Sequence, residues 1–164
     1  FVERLPQQFQ WTVEVRHRGF DAGTEPERRL NDRLAAAGID RVLFYTEPIF
    51  ARAPASEEER EAHQRKPRVK LRPIALAGHP VVRLIAPDDG VESPTEVIRP
   101  WESWFPHVAR WVRDGRAATV FVHTPDNRRS PEIARLVYGE IAAMVPGLGE
   151  LPDPAEAPGQ SALF

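Results

Sequence analysis

Glu14 and Arg16 stand two residues apart near the end of an apolar run, Trp11–His17 (WTVEVRH). A carboxylate and a guanidinium at that spacing form a charge-assisted pair in which either member aims the other at a ligand; the alternative is a structural ion pair closing the end of the fold. Arg83 lies inside a second run, Pro80–Ala86 (PVVRLIA). A lone buried charge is costly, so Arg83 requires a partner, either Glu14 or an anionic ligand group. His123 ends a third run, Ala118–Thr124 (ATVFVHT), just before the turn Thr124-Pro125-Asp126-Asn127. There it is placed for general-base work, for metal ligation or for a structural hydrogen bond. Asp126 and Asn127 are candidates beside it, although turn formation alone also selects these residue types. The chemistry these groups suggest is proton handling by Glu14, His123 and Asp126, with an anion held by Arg16, Arg83 and Asn127.

A further basic stretch, Arg65-Lys66-Pro67-Arg68-Val69-Lys70-Leu71-Arg72, places five cations in eight positions, with Arg68 the candidate phosphate contact. It follows Glu57-Glu58-Glu59 and Glu61, so neighbouring acids compete for these cations. A metal set could be drawn from Glu14, His17, His123 and Asp126, but no H-E-x-x-H or comparable ligand spacing occurs. P-loop, G-x-G-x-x-G and G-x-S-x-G motifs are likewise absent from the sequence, which argues against nucleotide-fold and serine-hydrolase chemistry.

These groups need elements to position them, and the composition allows a folded core. The 164 residues are 41% hydrophobic and include four Trp, enough to exclude wholesale disorder. A formal charge of -2 offers no global attraction to nucleic acid or membrane. Zero Cys removes disulfides, thiolate metal sites and cysteine nucleophiles, and favours a reducing, cytoplasmic setting.

The three runs named above, with Arg41–Thr46 (RVLFYT), are rich in Val, Ile and aromatics and read as strands. A helical pattern follows each. Thr24 and Glu27 form a capping box with Pro26 in the first turn, Leu30, Leu34 and Ala37 follow, and Gly38 closes the helix. Ser56 and Glu59 open a short polar helix to about Gln64. Trp101 to Arg113 carries Trp104, Val108, Trp111 and Val112 on one face, with Gly115 as the stop. Ser130 as cap and Pro131 as first residue begin the fourth, striped by Ile133, Leu136, Val137, Ile141 and Met144.

The order βαβαβαβα predicts an α/β fold with a parallel sheet and right-handed crossovers. Two architectures compete, a small doubly wound sheet and part of a (β/α)8 barrel. Charged side chains inside the strands favour the barrel, which collects such groups at the C-terminal ends of its strands.

The blocks VEVRH (Val13–His17), LNDRLAAAGIDRVL (Leu30–Leu43), RKPRV (Arg65–Val69), VVRLI (Val81–Ile85) and VFVHTPDN (Val120–Asn127) resemble, in order and spacing, the DUF72 or YecE-like family. The resemblance covers roughly residues 1–147. It implies a TIM-barrel-like fold, an activity that is not settled, and a chain supplying about four βα units, the second half of the barrel. A whole barrel runs to about 250 residues; the start at Phe1 without Met fits an expectation that earlier units precede it. The chain departs from the family pattern in three places. Arg83 is followed by Leu84-Ile85-Ala86 where R-x-H-G is common, His123-Thr124-Pro125 replaces an Asn-rich turn, and the acidic residue common near Tyr45 is absent.

From Pro146 the chain becomes Pro/Gly-rich, so residues 148–164 are expected to form a flexible tail. It ends Gln160-Ser161-Ala162-Leu163-Phe164, and Q-x-x-L-F at a terminus is similar to the peptides by which bacterial replication and repair proteins dock on the DNA sliding clamp. Gln160 would supply amide hydrogen bonds while Leu163 and Phe164 fill an apolar pocket; the alternative is that they pack back on the fold. The expectation is a barrel enzyme of phosphoesterase or nuclease type acting on a phosphate-containing substrate such as nucleic acid, recruited by its tail, with a divalent metal as the candidate cofactor. The alternative is a non-catalytic nucleic-acid or anion-binding module recruited in the same way.

Overall fold

A computed structural model describes residues 2–6, 8–51, 53–54, 57–86, 93–124 and 127–152. Four strands, β1 (Thr12–Glu14), β2 (Asp40–Tyr45), β3 (Val81–Ile85) and β4 (Thr119–His123), form one parallel sheet in the order β1-β2-β3-β4. A doubly wound sheet reverses its strand order about a switch point, and this sheet does not. Its sequential order is compatible with a section of a (β/α)8 barrel.

The two sheet faces differ. Leu43, Val82, Leu84, Val120 and Val122 share one face and pack on Trp101, Trp104, Phe105, Val108, Ile133 and Val137 from the following helices. These are α3 (Pro94–Ile98), α4 (Phe105–Arg113) and α5 (Ser130–Ala143), with a 3-10 segment, Arg99–Trp104, joining the first two. The predicted helix from Trp101 to Arg113 thus begins earlier and changes pitch, because Pro100 and Pro106 interrupt the backbone hydrogen-bond ladder.

The first helix, α1 (Glu25–Ala36), covers the same face through a buried polar network. Thr24 accepts the Glu27 amide at 3.3 Å as its N-cap, and Gly38 leaves the helix at φ 67°. Glu27, only 1% exposed, accepts from Asn31, Arg72 and Arg41 at 2.9, 3.0 and 3.4 Å, and Arg41 also donates to Asn31 at 3.2 Å. The Glu27 carboxyl is held below its ordinary range although burial opposes this; hydrogen bonds from Gly23, Asn31 and Arg72 outweigh the desolvation.

The polar helix α2 (Glu57–Arg65) does not join that outer layer. It has too little apolar surface to cover a sheet, and its Ala62 instead packs with Ile49, Phe50, Phe44 and Ile85 on the opposite face. The strap after it, 66–80, forms neither helix nor strand; its Leu71, Ile74 and Ala75 pack on the outer core in the place a helix would take. Buried Asp40 ties the strap down, accepting the amides of Leu76, Ala77 and His79 at 2.7, 2.9 and 2.7 Å.

Ser130 is the first residue of α5 rather than its cap, and its hydroxyl lies 3.0 Å from that of Thr124. Past α5, Leu148 packs against the core, and the Gly149 and Pro152 carbonyls accept from Tyr138 and Arg135. Among the described residues no helix is long and apolar enough to cross a membrane.

Candidate anion-binding centre on the open sheet face

The face opposite α1, α4 and α5 collects the charged strand residues. Side chains of parallel partners lie on the same face, and the register pairs Glu14 with Val42, Phe44 with Arg83, Arg83 with Phe121, and Ile85 with His123. Glu14, Phe44, Arg83, Phe121 and His123 therefore line one surface. Phe121 is 56% exposed at the end of this row, so the surface is open on the β4 side.

Glu14 is the hub. Its Oε1 accepts from Arg16 Nε at 2.5 Å and its Oε2 from Arg83 Nη1 at 2.6 Å. The carboxylate is 19% exposed, so both bonds form where water screens less than in bulk. Both guanidiniums also lie against the Phe44 ring, with Arg83 Cζ 4.4 Å and Arg16 Cζ 5.1 Å from its centroid. A buried aromatic platform and a shared carboxylate thus hold two flexible cations in place.

Arg16 lies two residues beyond Glu14, where strand alternation puts it on the same face; the regular strand ends at Glu14, and Arg16 donates to that carboxylate. His17 leaves the centre altogether: its Nδ1 accepts the Gly19 amide at 3.0 Å and its ring meets Phe20 edge-on.

His123 sits at the end of β4, half-buried, hydrogen-bonded by Asn127. Its pKa is pushed down from 6.5, first by burial and then by the charges of Lys66 and Arg83, while Asn127 pulls it back up. Asn127 holds a left-handed backbone at φ 58°, which turns the chain and lets its side chain face the imidazole. The neutral ring that results is competent to accept a proton.

Lys66 is the member that sequence reasoning passed over. Burial and the Arg83 charge both push its pKa down, and its own charge pushes down that of His123, so Lys66 lies within electrostatic reach of both. Its signal is the basic run itself, whose expected phosphate contact is Arg68. Arg68 lies elsewhere: its guanidinium stacks on Phe50 at 5.6 Å and lines a separate cavity.

Among the described residues, Arg16 and Arg83 share the Glu14 carboxylate and the Lys66 charge lies within reach of Arg83, beside a His123 whose pKa is pushed down. An excess of cation over carboxylate at strand ends favours an anion. Among the described residues no three His, Asp or Glu side chains gather as metal ligands. Asp126 lies outside the described residues, as do Gln160, Leu163 and Phe164 of the tail.

Comparison with known proteins places this arrangement in a family. The model of the family described as "Protein of unknown function DUF72" matches residues 1–157. The chain is 33% identical over 164 residues to the UPF0759 protein YecE of Escherichia coli strain K12. It is 32% identical over the same length to the protein of that name from Escherichia coli O157:H7. Each alignment takes in 100% of this chain and 57% of the relative, so the chain spans little more than half the length of the curated relatives it matches. No solved structure matches the chain. Since the family model extends over nearly all of these residues, the chain belongs to the DUF72 family.

Proposed function

We propose that the open sheet face is part of the interior of a (β/α)8 barrel and binds a phosphate-containing substrate. The observation that carries this reading is Glu14 bridging Arg16 and Arg83 over Phe44, with the Lys66 charge within electrostatic reach of Arg83. Glu14 orients the two guanidiniums so that their remaining N–H donors are directed at one anion. His123, its pKa pushed down and its ring hydrogen-bonded to Asn127, is the general base that takes a proton from the attacking water. The new P–O bond forms as the ester P–O bond breaks, and the leaving alkoxide takes its proton from the imidazolium or solvent. Arg16 and Arg83 then stabilise the charge that develops on the phosphoryl oxygens. The reaction class is phosphoester hydrolysis, with nucleic acid as the substrate class, and Asp126 stands next to this centre in sequence.

A panel of phosphomonoester, phosphodiester and single- and double-stranded nucleic-acid substrates tests this reading with the full-length protein, assayed with and without divalent metal. Turnover that falls at least 100-fold in His123→Ala and in Arg83→Gln supports it. Turnover indifferent to both substitutions, or none on any substrate, contradicts it. In the second case the non-catalytic reading gains, since the same excess of cations also serves anion binding alone.

The terminal Gln160, Leu163 and Phe164 are proposed to dock on the bacterial sliding clamp as an extended peptide, bringing the protein to DNA. Deleting residues 160–164 is expected to abolish binding to purified clamp; unchanged affinity contradicts this part.

A further inference from the structure

Beyond the Glu14 centre, a cavity of about 700 Å³ opens at the C-terminal end of β2. Tyr45 and Phe50 line it, with Arg18, Arg68 and Lys70 as its cations and Asp21 and Glu47 as its carboxylates. Its volume lies in the range of small-molecule sites. Neither Glu14, Arg83 nor His123 borders it, so it is distinct from the centre described above.

The strap builds its basic wall. In an extended chain alternate residues point to opposite sides, and here Val69 is buried and Leu71 packs on the core while Arg68 and Lys70 are exposed. Asp21 fixes the strap by accepting the Lys70 amide at 3.2 Å, and the Ala22 amide donates back to the Lys70 carbonyl at 3.0 Å. Among the described residues neither Arg18, Arg68 nor Lys70 has an ion-pair partner, although other surface arginines, such as Arg29, Arg60 and Arg65, pair with carboxylates. Three unpaired cations on one cavity match a phosphate group. The two carboxylates repel a bare polyanion and call instead for hydroxyl or N–H donors on the ligand. The Tyr45 and Phe50 rings supply apolar surface for a flat ring.

From these features we infer that the cavity is a second binding site, for a nucleoside monophosphate moiety. Arg18, Arg68 and Lys70 take the phosphate, Asp21 and Glu47 accept from sugar hydroxyls, and the base lies along Tyr45 and Phe50. Such a moiety reaches the cavity either as a free nucleotide or as the 5′-phosphorylated end of a single strand.

Calorimetric titration of the full-length protein separates these outcomes, with AMP, GMP, CMP, UMP, inorganic phosphate and a 5′-phosphorylated pentathymidylate as probes. Binding of a mononucleotide or of the pentamer, weakened at least tenfold by Arg18→Gln/Lys70→Gln and within twofold of wild type in the surface variant Arg29→Gln, supports the site and identifies the source. Both substituted residues are exposed, and an unchanged melting temperature shows that the variant is folded. Three results overturn the inference: no binding by any nucleotide probe at millimolar concentration, phosphate binding as tightly as every nucleotide, or nucleotide binding lost with Arg83→Gln but kept in Arg18→Gln/Lys70→Gln. The last would move nucleotide binding to the Glu14 centre, and so would leave the reading of that centre standing.

Discussion

Arg83 reaches from β3 over the Phe44 ring of β2 to place its Nη1 2.6 Å from Oε2 of Glu14 on β1. One side-chain contact thus ties together three adjacent strands. Replacing Glu14 by Gln removes the charge that Arg16 and Arg83 share but keeps the shape. The expected cost is about 1.5–3 kcal/mol of unfolding free energy, as for hydrogen bonds to charged groups. Urea denaturation measures it, and a change within error of zero would show that the bridge carries no stability.

The buried network under α1 responds more strongly. Arg41 is 2% exposed and pairs with Glu27. Glu27→Gln leaves the guanidinium without its carboxylate, and breaking one partner of a buried pair costs about 3–5 kcal/mol. The same denaturation experiment reads it; a loss no greater than that of the surface variant Glu25→Gln would contradict the assignment.

His123 makes stability depend on pH with a definite sign. Its folded-state pKa lies below 6.5, so near that value the unfolded chain binds more protons than the folded one. The contribution is complete above 6.5 and is lost as pH falls through 6.5 toward the folded-state value. Chemical denaturation over this range is expected to show a slope that His123→Gln removes. Because Lys66 is one cause of the depression, Lys66→Gln is expected to raise the His123 pKa, read directly from its ring resonances in an NMR titration.

Anion binding at the centre draws on the same linkage. A bound anion beside His123 favours the protonated ring, so binding is coupled to proton uptake. Sulfate is a suitable probe, since it does not titrate in this range. Its affinity is expected to rise as pH falls from 6.5 toward the lower folded-state pKa of His123 and to lose that dependence in His123→Gln. A flat profile in the wild-type protein would separate His123 from the anion.

The parts of this structure that are legible in the sequence are those governed by local chemistry. Thr24 caps α1, and Gly38 and Gly115 end their helices with φ of 67° and 79°, as their residue types require. Strand alternation likewise puts Arg83 and Phe121 on surfaces that the register then joins. What the sequence hides depends on contacts distant along the chain. Nothing local shows that β1 stops at Glu14, or that Phe44 supports two guanidiniums from either side of it in sequence. Lys66 and Arg68 are chemically equivalent in the basic run, and only the course of the strap sends Lys66 toward Arg83 and Arg68 to a different cavity. The residue type of Ser130 and the Pro131 that follows suit a cap; the Thr124 hydroxyl claims Ser130 instead.

The most direct test of the anion-binding centre is calorimetric titration of inorganic phosphate into the full-length protein and into its Arg83→Gln variant. The wild-type protein is expected to bind phosphate, and the variant to bind it at least tenfold more weakly while remaining folded. Equal affinity in the two proteins, or no binding to the wild type at millimolar phosphate, would contradict the account.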